Sequence, residues 1–466
     1  MFRTVFLQLK ALIAAVLMIY GIVASADNCL KIVVLATADI HGNMAQLEHA
    51  VAPAVKKEFS SLPGQVIYVD IGDIAQGSFA VNMRCAQGVM RKLGEAGCTL
   101  FVPGNHELEY GFEVFKKLMM EFPGTVLAAN LHAPELQKKV LPYKIVEVKG
   151  VKIAFIGLML KDMNNCFPVA ESRFQTLPGR ASLRRSINQV RKEGAELIVL
   201  LRHAGRYGGG EDLLKLVKDM PEIDLVIGAH THKPEAGVRM GNIWYVQPAA
   251  HGESILKTTI YYDRPAKRLK QIESGFLLLP KIPEILPPDA DASAVPADEN
   301  LDFPARRIAD FTGCDLAVYA VESVRKLEHL ILTPQPKLID YYRVFPYADR
   351  IVTVKISADE FRAVIKEYAA FAYKRKQLLT CAGFTCEMSR SSLKKLAFDK
   401  VKSSYTLAIS AYAAAGAGGQ LPEVRRILKD KLDHKQAENA CSVLQIVADP
   451  ARCPVENMRK KVGTGQ

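Results

Sequence analysis

The sequence predicts an α/β protein with two domains, and three observations support this fold class. Short apolar runs typical of buried strands each end in polar or glycine-rich sequence, at residues 32–35, 66–69, 153–156, 197–201 and 225–227. Residues 181–193 have the pattern of an amphipathic helix that leads into the fourth run. Residues 280–300 contain five prolines and little periodicity, which predicts a semi-rigid linker between the domains.

The elements before this linker alternate between predicted strands and helices. Residues 146–156 predict a β-hairpin that turns at Lys149 and Gly150. Such alternation is typical of layered α/β domains. We expect a signal peptide over residues 1–26, a first domain over 27–279, the linker over 280–300, a second α/β domain over 301–455 and a basic tail over 456–466.

Composition and charge exclude several classes of protein. Of the 466 residues, 49% are hydrophobic and 24% are charged, which excludes a disordered or fibrous chain. The formal net charge of +12 is spread along the sequence, without an aromatic-interleaved basic block or zinc-finger spacing. The sequence therefore does not support a nucleic-acid-binding module. A basic surface can favour anionic substrates, although solubility is the simpler explanation of the charge.

The N-terminus has the three parts of a secretory signal. Arg3 and Lys10 make the first ten residues basic. Residues 11–24 are uncharged and mostly apolar, and Ala24-Ser25-Ala26 is a small-residue cleavage motif. An uncleaved membrane anchor is the alternative, but the apolar run is short for a membrane span. We expect an exported protein, periplasmic or extracellular, without stable membrane insertion.

The nine cysteines all follow this predicted signal. An exported chain permits disulfides, and Cys85/Cys98, Cys381/Cys386 and Cys441/Cys453 are the local candidate pairs. Spacing alone does not fix the pairing, and an odd number leaves at least one thiol outside it. The sequence contains no C-x-x-C motif, so a thioredoxin-like role is not supported.

Five segments place histidine, aspartate or asparagine directly after an apolar run. They are residues 38–42 (ADIHG), 72–78 (GDIAQGS), 104–107 (GNHE), 201–205 (LRHAG) and 228–232 (GAHTH). Ligands converge at the carboxyl ends of strands in α/β sheets. Oxygen and imidazole donors without thiolates suit Zn, Mn, Fe or Co, and an aspartate can bridge two such cations. Two cations about 3.5–4 Å apart can clamp the attacking and leaving oxygens of a displacement at phosphorus.

With these five segments in this order, the chain resembles the calcineurin-like two-metal metallophosphoesterases, and within them the 5'-nucleotidase family. The resemblance implies a four-layer αββα metallophosphoesterase domain followed by a smaller α/β C-terminal substrate domain. It also implies two divalent metal ions, whose identity stays open. One metal would be held by Asp39, His41 and His232, the other by Asn105, His203 and His230, with Asp73 bridging both.

The resemblance further implies a catalytic pair, His106 and Glu109. His106 would donate to a phosphoryl or leaving-group oxygen, and Glu109 would fix its orientation. The usual run in the family is G-N-H-E-F-D, whereas here Leu108 replaces the phenylalanine and Glu109 replaces the aspartate. A surface acid without a catalytic role is the alternative for Glu109. We expect Glu107 to bond backbone groups near the metals.

The second domain keeps the framework of the family more clearly than its binding residues. Residues 344–361 are similar to the P-F-x-N segment and the strand and helix after it. The N-G-G-G-I-R segment corresponds to residues 320–325, where only Arg325 matches, and the G-G-D-G-[YF] loop corresponds to 416–420, which lacks the acid and the aromatic ring. Arg325 and Phe384 are the candidate substrate contacts, with core packing as the alternative for Phe384.

The resulting prediction is an exported phosphoester hydrolase that releases phosphate from nucleotides or related small phosphoesters. The resemblance implies attack by a hydroxide that bridges the metals. Alternative activities are a nucleotide-sugar or cyclic-nucleotide phosphodiesterase, or a thiosulfohydrolase of sulfur oxidation, whose branch of the family alters the Asn-His motif that is intact at Asn105 and His106. The non-enzymatic alternative is an exported binding protein on an inactive scaffold. The sequence leaves the exact substrate and the oligomeric state open.

Overall fold

The computed structural model of the chain describes residues 28–208, 211–347, 349–389 and 392–448. The predicted signal at 1–26 and the predicted basic tail at 456–466 lie outside these ranges. The strands are β1 Cys29–Thr37, β2 Val66–Asp70, β3 Leu100–Phe101, β4 Thr125–Leu127, β5 Leu131–His132, β6 Val140–Leu141, β7 Tyr143–Val148, β8 Val151–Leu158, β9 Gln175–Thr176, β10 Leu197–Arg202, β11 Leu225–Ile227, β12 Glu235–Met240, β13 Ile243–Gln247, β14 Ser254–Asp263, β15 Arg268–Leu278, β16 Leu316–Val321, β17 Ile351–Ser357, β18 Leu378–Ala382, β19 Phe384–Ser389, β20 Ser392–Phe398 and β21 Ser404–Ser410.

The α-helices connect these strands. They are α1 Met44–Gln46, α2 Ala52–Ser61, α3 Phe79–Met83, α4 Val89–Glu95, α5 Phe112–Glu121, α6 Gly179–Lys192, α7 Leu213–Val217, α8 Phe303–Thr312, α9 Val324–Ile331, α10 Leu338–Val344, α11 Ala358–Lys374, α12 Ala411–Ala415, α13 Pro422–Leu428, α14 His434–Glu438 and α15 Val443–Ala448. One π-helical stretch, Leu47–Val51, joins α1 to α2.

Two mixed sheets form the centre of the first domain. One has the strand order β15-β14-β1-β2-β3-β4-β6 and the other β12-β13-β11-β10-β8-β7. Strand β1 shows why these sheets are covered on both faces: Ile32 and Val34 point into the core between the sheets, and Val33 and Leu35 into a second core on the outer face. Because neighbouring side chains alternate across a strand, an uninterrupted apolar run fits a sheet buried on both sides.

Helices cover the outer faces of both sheets. The amphipathic helix α6 packs Leu183, Ile187 and Val190 against the outer face of the second sheet, at the spacing of one helix face. Helices α2, α4 and α5 contribute to the core outside the first sheet. The order of layers is therefore helix, sheet, sheet, helix, as the resemblance implied.

The second domain has a smaller four-stranded sheet, β17-β21-β16-β18, with the β19–β20 hairpin beside it. Helix α11 begins with a capping box between Ser357 and Glu360 and packs onto this sheet through Phe361, Val364 and Ile365. The α/β fold predicted for this part of the chain is confirmed.

Residues 280–300 contain a 3₁₀ turn at Pro288–Asp291 and are not a free tether. Ala290 is buried in the core of the second domain, and the backbone N–H of Leu338 donates to the carbonyl of Ala292 at 3.0 Å. The latter half of the predicted linker therefore packs as part of the second domain. Buried apolar residues such as Ala290 can hold a proline-rich segment against a domain even where it forms no strand or α-helix.

The local predictions agree closely with the structure. Each predicted strand lies within β1, β2, β8, β10 or β11, and the predicted helix overlaps α6. Strands β7 and β8 form the predicted hairpin, and its turn residues Lys149 and Gly150 both have positive φ, +51° and +88°. Among the described residues, no helix is long and apolar enough to cross a membrane.

Polar contacts hold the two domains together near the carboxyl ends of the strands. The side-chain amide of Asn82 in the first domain donates to the carbonyl of Pro346 in the second at 2.7 Å. Nearby, the rings of Phe79 and Tyr342 meet edge to face with centroids 5.4 Å apart. These contacts place the second domain beside the loops described next.

Candidate metal centre and adjoining cavity

The metal-ligand candidates lie on loops that follow five strands and converge on one place. Strands β1, β2 and β3 supply them from the first sheet, and β10 and β11 from the second. In chain order these residues are Asp39, His41, Asp73, Asn105, His203, His230 and His232. Parallel pairing aligns the carboxyl ends of β1, β2 and β3, and likewise those of β10 and β11.

Most of these residues have a backbone conformation that L-amino acids rarely adopt. The φ angles of Asp39, His41, Asp73, His230 and His232 lie between +50° and +72°. Each such left-handed residue other than glycine costs on the order of 1 kcal/mol or more, so the surrounding structure must enforce it. Backbone strain concentrated at these five residues indicates that the surrounding structure holds them in fixed positions.

Two groups of ligand atoms share this site. Asp39, His41 and His232 form one group, and Asp73, His203 and His230 form the other, with the atoms of each group within 4.8 Å of one another. Asp73 connects them: its Oδ2 lies 3.0 Å from His203 Nε2 and 4.0 Å from His230 Nδ1, and its carboxylate also forms a group with His41 and His106. This arrangement gives Asp73 the position expected of a bridging residue.

Several buried ligand atoms lack a protein partner, which fits a site built for cations. Asn105 Oδ1 and His230 Nδ1 are inaccessible to solvent and have no hydrogen-bond partner among the described residues. The Nδ1–H of His203 donates to the carbonyl of Ile71 at 2.5 Å, and its Nε2 lies 3.0 Å from Asp73 Oδ2. Burial opposes the charged form of His203, but Asp73 outweighs it and raises the pKa to about 9, so a proton or a cation lies between Nε2 and the carboxylate. Buried acceptors facing each other are costly unless a cation or proton lies between them.

The charges of the site are set by burial and by Asp73. Burial lowers the pKa of His41 to about 3 and, together with His203, lowers the pKa of His230 to about 4, so both rings are neutral. Burial opposes the charge of Asp73, but His203 and His106 outweigh it and hold the pKa of Asp73 well below its ordinary value. An ionised carboxylate surrounded by imidazole nitrogens is the donor set that divalent transition metals prefer.

Glu107 holds two of the ligand loops together and does not face the metal groups. Its buried carboxylate accepts backbone N–H groups from Asp73, Ile74 and Ala75 at 3.0, 2.8 and 3.0 Å, and from Gly104 at 2.6 Å. This agrees with the prediction that Glu107 bonds backbone groups. The loop after β2 is thereby fixed to the loop after β3.

Gly104 permits the close approach of these loops. A Cβ at this position would lie 2.2 Å from Asp73 Oδ1 and 2.5 Å from His203 Cε1. Any other residue would therefore displace the groups that meet there. The glycine of the GNHE motif is explained by this packing.

His106 and Glu109 are paired at the edge of the same site. His106 Nδ1 lies 2.8 Å from Glu109 Oε1, and the ring of His106 lies 5.0 Å from that of His41. The backbone N–H of His106 donates to Asp73 Oδ1 at 2.8 Å. Burial opposes the charged form of His106, but the charge of Glu109 outweighs it and raises the pKa to about 10. The longer glutamate arm thus still reaches the imidazole.

A cavity of about 510 Å³ opens next to this pair, between the two domains. The first domain lines it with Asn105, His106, Glu109 and His230. The second domain contributes the aromatic residues Tyr319, Tyr347, Tyr368, Phe371 and Tyr412. Asp349, Gln377 and Arg375 add polar groups to the same wall. The cavity therefore has a metal-ligand end and an aromatic end.

The structure does not bring the two candidate substrate contacts of the second domain into this cavity. Arg325 is exposed on α9, and Phe384 is 3% exposed and packs edge to face on Phe361 at 4.8 Å, so neither is among the described residues that line it. Phe384 thus takes the core position given as its alternative. The glycine-rich loop does reach the cavity, through Gly418 and Gln420.

Sequence reasoning missed the aromatic lining. Tyr347 lies in the segment similar to P-F-x-N, three residues after the end of α10. Tyr412 lies two residues after the end of β21. A position shortly after a helix or strand was therefore the available signal for both. The ring of His251 also lies near the ligands, with ring centroids 5.5 Å from His41 and 5.6 Å from His232. Its backbone N–H donates to the carbonyl of Asp39 at 2.8 Å.

Comparison with known proteins agrees with this geometry. Residues 32–234 match the sequence model of the family Calcineurin-like phosphoesterase, a segment that includes all seven ligand candidates. Residues 32–234 therefore form a calcineurin-like phosphoesterase domain. A 5'-nucleotidase from Vibrio cholerae is 26% identical over 232 residues, which cover 45% of this chain and 41% of that protein. The matched part of the chain thus spans less than half of that relative's length.

Solved structures resemble the whole described fold. A candidate 5'-nucleotidase from Staphylococcus aureus, crystallised with alpha-ketoglutarate, has a TM-score of 0.70 at 14% identity, covering 92% of this chain and 98% of that one. A 5'-nucleotidase precursor from Thermus thermophilus has a TM-score of 0.59 at 16% identity, covering 88% and 96%. At these identities the likeness establishes the two-domain fold.

Proposed function

We propose that this protein is an exported two-metal phosphoester hydrolase that releases phosphate from nucleotides or related small phosphoesters. One observation carries the proposal: two groups of metal-ligand atoms, linked through His41 and Asp73, lie next to a cavity that the second domain lines with aromatic residues. A catalytic pair, His106 and Glu109, lies where these two features meet. This arrangement joins a phosphate-binding end to an end suited to an organic group.

The donor set fits two divalent cations. Asp39, His41 and His232 would hold one, Asn105, His203 and His230 the other, and Asp73 both. When bound, such cations act as Lewis acids that polarise phosphoryl oxygens and lower the pKa of bound water. The strained loops fix the ligand atoms before binding, because Glu107 and Gly104 hold the loops after β2 and β3 together.

His106 supplies proton donation from the protein itself. With Nδ1 held by Glu109, the imidazole presents its Nε2 toward the shared site, where Asp73 Oδ2 lies 3.9 Å away. A protonated Nε2 can donate to a phosphoryl or leaving-group oxygen as its negative charge develops. Glu109 stabilises this charged form by its proximity and fixes the plane of the ring.

The aromatic end of the cavity supports a substrate with a flat or ring-shaped leaving group. Tyr347 and Tyr412 line this end, and the hydroxyl of Tyr347 donates to Glu322 at 2.7 Å. Aromatic faces bind nucleobases by stacking, independently of the base, which is why we favour nucleotides. The proposed division is phosphate at the metals and organic group against the tyrosines.

A phosphate-release screen tests this function. The full chain, loaded with Mn²⁺ or Zn²⁺, should release phosphate from nucleoside monophosphates faster than from sugar phosphates. Conversion of nucleotide sugars or cyclic nucleotides to nucleoside monophosphates, without phosphate release from monoesters, would move the substrate class to diesters. A metal-loaded protein that leaves nucleotides and generic phosphoesters untouched would refute the proposal and favour the inactive scaffold.

The proposed location outside the cytoplasm depends on residues 1–26. Expression of the full chain followed by N-terminal sequencing of the exported fraction should give a mature protein that begins at Asp27. Retention of residues 1–26 on a membrane-bound protein would instead support the uncleaved anchor.

A further inference from the structure

Helix α5 begins next to the catalytic pair and receives its cap from the other domain. Among the described residues of the first domain, no side chain caps this ten-residue helix. The carboxylate of Glu438, more than 300 residues later, accepts the first two N–H groups: Phe112 donates to Oε1 at 2.6 Å and Glu113 to Oε2 at 3.2 Å. Without Glu438 these N–H groups would lose their protein acceptors. A carboxylate is also the favourable charge at this end of a helix.

Glu438 is itself firmly placed in the second domain. It is the last residue of α14, and its carbonyl accepts a hydrogen bond from the guanidinium of Arg350. Gly111 allows the carboxylate to come close, since a Cβ there would lie 2.3 Å from Glu438 Oε2. The positive φ of Gly111, +92°, also favours glycine at this position. Two features of Gly111 therefore suit this contact.

The capped segment carries Glu109. The turn His106–Leu108 is 3₁₀-helical, and Glu109, Tyr110 and Gly111 connect it to α5. On the side of the first domain, the hydroxyl of Tyr110 lies 2.7 Å from the carbonyl oxygen of Ala75 and 2.8 Å from Asn82 Oδ1. The peptide that bears Glu109 is thus held at one point by its own domain and at the next by Glu438.

We infer that Glu438 is a positioning residue for the His106–Glu109 pair: it fixes the start of α5 so that Glu109 stays 2.8 Å from His106. The catalytic geometry of the first domain then depends on a side chain of the second. This inference rests on the proposed function, because the pair matters only if it takes part in hydrolysis. Glu438 touches neither His106 nor the metal ligands in this account and acts through the backbone.

A double-mutant cycle tests this role. In the metal-loaded full chain, Glu438→Ala should lower kcat about tenfold with KM changed less than threefold. In a Glu109→Gln background the same change should lower kcat little further, because the contact between His106 and the Glu109 carboxylate is already lost. Glu438→Gln keeps one carbonyl acceptor and should recover most of kcat. Glu387→Ala, an exposed glutamate on β19, is the control and should leave kcat unchanged.

Hydrogen exchange separates this inference from the proposed function. In the wild type, a peptide spanning residues 109–121 should be protected, and Glu438→Ala should speed its exchange without affecting peptides of β1 or β10. Gly111→Ala, whose Cβ would displace the carboxylate, should have the same local effect and serves if Glu438→Ala does not fold. Unchanged exchange of residues 109–121 in Glu438→Ala would overturn the role of Glu438. So would a fold-loss of kcat on Glu438→Ala that is as large in the Glu109→Gln background as in the wild type. A wild type inactive on every phosphoester would refute the proposed function alone.

Discussion

The Nε2 atoms of His41 and His232 lie 2.9 Å apart. His41 donates its Nδ1–H to the carbonyl of Gln76 at 3.2 Å, so its Nε2 carries a lone pair that faces the second ring. Burial lowers the pKa of both histidines, so two neutral nitrogens meet. A cation bound by both Nε2 atoms would satisfy both lone pairs.

Asp73 should be required for both metals and His232 for one. Asp73→Asn removes the charge shared by both groups of ligands and should leave less than about half an equivalent of metal per chain after dialysis. His232→Ala should retain about one equivalent, because the group of Asp73, His203 and His230 stays complete. Elemental analysis of the dialysed proteins measures this. Equal retention by the two variants would contradict a bridging aspartate.

His106 should contribute to turnover and not to metal binding. His106→Asn should lower kcat about 10²–10³-fold, the usual range for loss of a proton-donating group, with the metal content unchanged. Glu109→Gln should have a smaller effect, about tenfold, because the imidazole remains but its charged form loses support. His49→Asn, an exposed histidine on the same domain, should match the wild type. A loss of metal in His106→Asn would instead make this residue a ligand.

Glu107 should be important for stability despite its distance from substrate. In Glu107→Gln one amide oxygen can still accept two N–H groups, but the NH₂ group would face the N–H groups of Asp73 and Gly104. Leaving two buried donors unsatisfied should lower the free energy of unfolding by about 2–4 kcal/mol. Urea denaturation measures the change, with exposed Glu95→Gln as the neutral control. A cost below about 1 kcal/mol would show that the two loops are held by other contacts.

Asp349 should make stability depend on pH. Burial raises the pKa of its carboxyl from the ordinary 3.8 to about 7. Between these values the unfolded chain releases a proton that the folded chain keeps, so stability falls as pH rises from about 4 to 7. Asp349→Asn should therefore melt a few degrees above the wild type at pH 8 and equally at pH 4. Exposed Asp399→Asn should show no such difference, and a constant offset at both pH values would contradict the account.

The convergence of the ligand candidates was predictable from sequence because each of them follows an apolar strand. Parallel strands bring their carboxyl ends together, so Asp39 after β1 and Asp73 after β2 meet without knowledge of distant contacts. The same rule applies to His203 after β10 and His230 after β11. Local pattern and one topological rule were sufficient there.

The cavity and the cap on α5 were not predictable in this way. Tyr412 and Glu438 reach the first domain only through packing of two domains, and the sequence around Glu438 has no motif. Phe384 was a candidate substrate contact with core packing as its alternative, and alternation along β19 turns it into the core against Phe361. Contacts between distant segments require the three-dimensional structure.

Two cations that share Asp73 should be needed for hydrolysis. The most direct measurement is a titration of metal-free protein with Mn²⁺ while phosphate release from a nucleoside monophosphate is followed. Little release is expected up to one equivalent of Mn²⁺ per chain, with a rise during the second equivalent and a plateau at two. A plateau at one equivalent, or full release without metal, would contradict it.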